Sequence, residues 1–276
     1  MTEELERARK TIRELGRMLK SLNGDSSVRQ VHKLRTTTRR VEAIAAALAS
    51  NDAKKSRRLL RSIEPVRKAA GGVRDMDVLI ANARKLARHS AGDSLTRLLE
   101  HLQIARQQKA EELRRALGRR RDAAREDLKE YFRLVRSVLA PVIDPALAKA
   151  RADQPHEGVH TAAMNVLREL GEWPPLDAEN IHAFRLKVKE LRYILQLSAN
   201  SDVGLAEALG NVQRRIGDWH DWHQLEEIAR EVLDAERDHA ILVRIAQTVK
   251  RKFGQALAAA NRLRGTYLST PFVAGI

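Results

Sequence analysis

The sequence predicts an all-α protein made of two helical bundles, and three observations carry that expectation. Of 276 residues, 43% are hydrophobic and 32% charged but only 4% aromatic, and Ala, Leu, Arg, Glu and Lys dominate, all strong helix formers. Apolar residues recur with helical spacing along almost the whole chain, whereas sheets draw on β-branched and aromatic residues. Two segments in the first half recur in the same order in the second.

The elements follow from turn signals. A first helix over 1–22 ends near Asn23-Gly24. Asp25, Ser26 and Ser27 offer caps for a second, reaching about Ser50. Asn51-Asp52 opens a third, and Gly71-Gly72 is expected to break or bend it before a helix from Val73 to Arg88. Gly92-Asp93 starts a long charged helix to Leu139, with a bend expected at Gly118. Pro141 and Pro145 bracket a linker, which divides the chain into bundles at 1–140 and 141–276. In the second half a helix is expected over Ala146–Leu170, loosened around Asp153–Gly158. The turn Gly171–Asp177, with Pro174 and Pro175, follows, then helices at 178–199, 202–216, 222–236 and 238–263 and a terminal tail.

Val31 to Arg39 matches Ile181 to Lys189, with His32 and His182 in register. Val66 to Asp75 matches Val212 to Asp221, at nearly the same offset. Each match holds only two or three identities. Their shared order and spacing point to an internal duplication with a pseudo-two-fold axis.

The formal net charge is +15 and the isoelectric point lies near 10.5, a balance that favours a polyanionic partner. On the helix holding His32, Arg35 and Arg39 fall within roughly 60° of that histidine at about 100° per residue. Val31, Leu34, Thr38, Val41 and Ala45 gather on the opposite, core side. The second half repeats the row as His182, Arg185, Lys189 and Arg192, extending roughly 15 Å. Like charges one turn apart destabilise a helix, and an anion lying along the row reverses that effect. Arg grips phosphate oxygens in a planar fork and Lys acts as a point charge. Arg58, Arg61, Lys68 and Arg214 are candidates to widen the patch. Arg119-Arg120-Arg121 is expected to face solvent. Asp75 and Asp221 are read as structural, either capping a following helix or orienting a basic neighbour, and Trp219 and Trp222 as packing residues.

Other classes of function are less well supported. The N-terminus is charged from its third residue and is not expected to be a secretory signal. No apolar run approaches the roughly 18–20 residues needed to span a bilayer. There is no cysteine, which rules out disulfides and thiolate metal sites and is compatible with a reducing cytoplasm. Scarce aromatics argue against base stacking on single-stranded nucleic acid, so specific nucleic-acid binding is not expected, and attachment through phosphates alone stays as an alternative. A metal-dependent phosphohydrolase built on His220-Asp221 with His182 or His223 is the enzyme alternative. Its carboxylate set is thin, and no catalytic residue, cofactor or metal is expected.

At these residues the chain resembles the conserved-histidine α-helical domain, or CHAD, family. The family's first signature, His with Arg at +3, +7 and +8, is met by His32, Arg35, Arg39 and Arg40. A Gly-x-x-Arg-Asp-x-Asp-Val element is met by Gly71, Arg74, Asp75, Asp77 and Val78. His182, Arg185, Lys189, Leu191, Arg192 and Tyr193 meet the third signature, and Gln213, Gly217, His220 and Asp221 the fourth. The resemblance implies two bundles related by pseudo-two-fold symmetry with a basic groove or pore where they meet. It also implies inorganic polyphosphate as ligand, with Arg40 joining His32, Arg35 and Arg39 as binding residues, and a cytoplasmic place at polyphosphate granules among granule proteins. Two departures stand out. Glu42 occupies a position where the family often has Arg, which shortens the first row. The Glu-x-Glu-x-Lys signature of the CYTH domain, a frequent fusion partner, is missing, so no hydrolase activity is carried over.

Overall fold

In the computed structural model, residues 3–22, 26–47, 52–87, 92–139, 155–195 and 202–268 are described. They form eight helices and, among the described residues, no strand: α1 (Glu3–Ser21), α2 (Val28–Ala47), α3 (Ala53–Leu86), α4 (Asp93–Leu139), α5 (Pro155–Gly171), α6 (Ile181–Leu195), α7 (Val203–Val232) and α8 (His239–Tyr267). The chain divides into two compact units, Met1–Val142 and Ile143–Ile276. The Asn23-Gly24 turn, Asp25, Asn51, Arg88, the Pro141–Pro145 linker, the stretch 146–154, the helix ends expected at Ser50 and at 196–199, and the terminal tail lie outside the described residues.

In the first unit α1 packs on α2, α2 on α3, α3 on α4 and α4 back on α1, which closes a four-helix ring. Its core takes Ile12, Leu15 and Leu19 from α1, and Val31, Leu34, Val41 and Ala45 from α2. Leu59, Ile63, Val66, Ala70 and Val73 of α3 meet Leu113, Leu117, Leu128 and Tyr131 of α4. The α3–α4 pair is the most extensive contact and continues with buried Leu79, Ala83, Leu98 and Leu102. Helix ends are tied by side chains. Asp52 caps α3, its carboxylate accepting the Lys55 N–H at 2.9 Å, and the Arg121 guanidinium donates to the Leu22 carbonyl at the end of α1. Arg121 is therefore engaged, while Arg119 and Arg120 face solvent as expected.

The second unit follows the same order of neighbours: α5 on α6, α6 on α7, and α7 on α8 as the longest contact. Ile181, Phe184, Val188 and Leu191 of α6, Leu209, Val212 and Ile216 of α7, and Ile245, Ala256 and Ala260 of α8 are buried. Trp219 and Trp222 are buried too, and the Trp219 ring lies 5.2 Å from Phe253 of α8, centroid to centroid. Arg264 near the end of α8 donates to the carbonyls of Gly171, Trp173 and Pro174 and so holds the turn that follows α5.

Four expected interruptions are not breaks. α3 is continuous through Gly71-Gly72 and also through Pro65; α4 is continuous through Gly118; α7 joins the expected 202–216 and 222–236 segments. No loosening occurs over 155–158, where α5 starts at Pro155, a residue suited to a first helical position. Magnitudes explain the glycine pair. Two helical glycines cost about 2 kcal/mol relative to alanine. Burying Val66, Val73 and Leu79 around them contributes about 1.5–3 kcal/mol each. Packing outweighs propensity.

Candidate functional site

Each unit carries its basic row where its second helix meets its third. On α2, Val31, Leu34, Thr37, Thr38, Val41 and Ala45 are buried. Arg35, Arg39 and Glu42 therefore lie on the flank turned to α3, with His32 exposed beside them. The Arg35 side chain crosses α3 at Gly71, where an added β-carbon would stand 3.8 Å from Nε. Farther along, Arg67 Nε of α3 donates to Glu42 Oε1 at 2.5 Å. Burial pushes the Glu42 carboxyl above its ordinary range, against the pull of Arg67 and Arg39. Arg39 makes no ion pair or hydrogen bond among the described residues.

Arg40 stands about 100° round α2 from Arg39, on the flank shared with Lys33. That flank faces α1: Lys33 pairs with Glu14 at 2.7 Å, and the Arg40 charge also acts on Glu14. The structure thus brings His32, Arg35 and Arg39 together and leaves Arg40 on another side.

The second unit repeats the arrangement with different partners. Arg185 of α6 donates from Nε to the Gln213 carbonyl at 3.4 Å, and its Nη2 lies 3.1 Å from where a β-carbon would stand on Gly217 of α7. Arg192 donates to Gln213 Oε1 at 2.9 Å. The His182 and His220 rings face one another with centroids 5.4 Å apart. Lys189 sits on the same flank of α6, between Arg185 and Arg192 in sequence and half-buried. All four residues of this row line the α6–α7 seam.

The candidate extensions differ among themselves. Arg58 is drawn across to α4, 2.7 Å from Asp127 and 3.0 Å from Glu130, and Lys68 is 2.9 Å from Glu64. Those two cations are locally neutralised. Arg61 donates to the Arg57 carbonyl at 3.4 Å and is exposed. Arg214, also exposed, lies with Nη1 3.5 Å from where a β-carbon on Gly210 would stand.

The carboxylates of the motif elements also sort out. Asp75 begins no helix because α3 runs through it; it accepts from its neighbour Arg74 at 3.3 Å with its side chain 45% exposed. The structural carboxylate is Asp77, two residues on. Its side chain is 5% exposed and accepts from Arg106 Nε of α4 at 2.6 Å, while Arg106 also reaches the Ser26 carbonyl before α2. Asp221 lies within α7 and likewise begins no helix. Of the histidines proposed for a metal, His182 and His220 meet, whereas His223 packs against Trp219 and lies 3.7 Å from Glu227. Among the described residues no group of three His, Asp or Glu is placed to hold a metal ion.

Sequence reasoning missed Arg67 across the first seam and the lysines that the fourth helix of each unit brings beside the glycines. Arg67 belongs to neither row nor to their candidate extensions. The Lys109 side chain of α4 covers Gly72, where a β-carbon would stand 3.1 Å from Cδ, and its ammonium pairs with Glu112 at 2.9 Å. Lys252 of α8 pairs with Asp218, next to Gly217, at 2.5 Å. The glycines carried part of the signal: side chains lie close at Gly71, Gly72 and Gly217, whereas Gly118 within α4 has nothing within 4 Å of an added β-carbon.

Among the described residues no helix is long and apolar enough to cross a membrane. No curated protein and no solved structure matches the chain. The family profile of the CHAD domain, by contrast, matches residues 6–230. That span takes in both seams, both histidines and both glycine crossings, and the chain belongs to the CHAD domain family.

Proposed function

We propose that this protein binds inorganic polyphosphate along the α2–α3 and α6–α7 seams, as a binder and not as an enzyme. The observation that carries the reading is the repeated Arg-over-Gly crossing. In each unit an arginine of the second helix lies against a glycine of the third, beside a histidine and further cations. A ligand of repeating phosphates offers only charge and oxygens, so recognition needs cations spaced along a track and no base-reading surface. The contacting residues are His32, Arg35 and Arg39 in the first unit and His182, Arg185, Lys189 and Arg192 in the second. Arg61 and Arg214 are exposed extensions. The matched order of helix neighbours and the matched crossings favour an origin of the two units by internal duplication. Association with polyphosphate granules and their proteins in the cytoplasm would follow from the ligand.

The test is a titration with polyphosphate chains of graded length against RNA, at fixed near-physiological salt. Polyphosphate is expected to bind in a length-dependent manner and to resist RNA. Displacement by RNA at comparable phosphate concentration would show non-specific phosphate attachment instead, since both modes weaken with salt. Release of phosphate on adding Mg²⁺ or Mn²⁺, lost in Asp221→Ala, would show a hydrolase.

A further inference from the structure

The two seams differ at one matched place. Glu42 stands ten residues after His32, and Arg192 ten after His182; Arg67 stands four before Gly71, and Gln213 four before Gly217. In the second unit the α6 residue is the cation, and Arg192 donates to the neutral Gln213 amide oxygen at 2.9 Å. Its positive charge is undiminished by that partner. In the first unit the cation sits on α3 and a carboxylate faces it: Arg67 Nε meets Glu42 Oε1 at 2.5 Å, and Arg67 Nη2 lies 3.8 Å from Glu64. Both side chains of the close pair are only about a quarter exposed, 25% and 24%, so solvent screens them incompletely. A carboxylate offers a guanidinium the same planar pair of oxygens that a phosphate does.

We propose that Glu42 is an internal anion that occupies the phosphate position at Arg67, so that the second seam carries most of the affinity and Glu42 sets how weakly the first one contributes. This rests on the polyphosphate reading of the seams. A phosphate reaching the end of the first row meets no net charge from the Glu42–Arg67 pair. The matched place in the second row presents the full charge of Arg192. The same carboxylate also draws on Arg39, the neighbouring cation of the row. Glu42 is therefore an affinity-determining residue that acts against binding.

The test measures the Kd of the full-length chain for long-chain sodium polyphosphate in wild type, Glu42→Gln, Glu42→Ala, Arg192→Gln and the double variant Glu42→Gln/Arg67→Gln. Melting temperatures check that each variant folds. Removing the carboxylate charge is expected to tighten binding about fivefold and to steepen the salt dependence by about one counterion. The double variant, again without net charge at that place, is expected to return to within about twofold of wild type, because the gain runs through Arg67. Arg192→Gln is expected to weaken binding about fivefold. Folded Glu42 variants that bind no tighter than wild type, or a double variant as tight as the single one, would overturn the inference and leave the polyphosphate reading standing. A wild-type chain that binds no polyphosphate would overturn the reading and the inference with it.

Discussion

Arg185 of α6 lies across α7 at Gly217, with Nη2 3.1 Å from where a β-carbon would stand, and Arg35 of α2 crosses α3 at Gly71 in the same manner at 3.8 Å. The two crossings differ by enough to separate their consequences. At 3.1 Å the guanidinium must shift by a few tenths of an ångström to admit a methyl group; at 3.8 Å it is in ordinary contact.

Gly217→Ala is accordingly expected to raise stability by about 0.5–1 kcal/mol through helix propensity while weakening polyphosphate binding about fivefold by moving Arg185. Gly71→Ala should give a similar stability gain with a smaller affinity loss. Gly118, with nothing within 4 Å of an added β-carbon, is the control: Gly118→Ala should stabilise α4 and leave affinity unchanged. Urea melts and binding titrations on the three variants check this. Equal affinity in Gly217→Ala and Gly118→Ala would remove the crossing from ligand recognition.

Reversing the charge of both crossing arginines tests the rows themselves. Arg35→Glu with Arg185→Glu is expected to weaken polyphosphate binding by more than about tenfold while the far-ultraviolet circular dichroism stays helical. An unchanged Kd in that double variant would take both rows out of the mechanism.

Stability should depend instead on the buried pair between α3 and α4. Asp77→Ala leaves Arg106 without its carboxylate, and losing one partner of a largely buried pair costs about 3 kcal/mol. A drop of that size in the urea midpoint with affinity held within about twofold is the expected outcome. Asp75→Ala, at a half-exposed site, should change the midpoint far less, and a larger loss at Asp75 than at Asp77 would contradict the assignment.

Much of this architecture was legible in the sequence because helical periodicity and the matched rows are local properties. His182, Arg185, Lys189 and Arg192 share a flank for the same reason that Phe184, Val188 and Leu191 share the adjoining, buried one, namely the helical repeat. What the sequence hid was set between helices. Gly71-Gly72 and Gly217 read as breaks because glycine disfavours helix in isolation; only the packing of α2 on α3 and of α6 on α7 decides that Gly71 and Gly217 are crossing points. The pairing of Arg67 with Glu42 joins residues twenty-five apart, and no periodicity within one helix announces it. The family signature pairs Arg40 with Arg39, although neighbours in a helix point about 100° apart.

The start of α3 adds a pH dependence. The Lys55 backbone N–H holds the Asp52 carboxyl below its ordinary range. A lowered folded-state value means that its contribution is present above the unfolded-state value and lost as pH falls through the folded one. Asp52→Ala should therefore lower the melting temperature at pH 7. The gap from wild type should narrow as acid titrates the aspartate. A gap that widened in acid would show that the cap is not the source of the effect.

The uninterrupted course of α2 and α6 through their basic rows has one more consequence. An unbroken helix sets the intervals between the successive cations it carries before any ligand arrives, so binding need order little besides side-chain torsions. Affinity should climb steeply while each added phosphate reaches a new charge. Once the ruler is filled, further lengthening should add only the statistical advantage of having more places on the polymer to start.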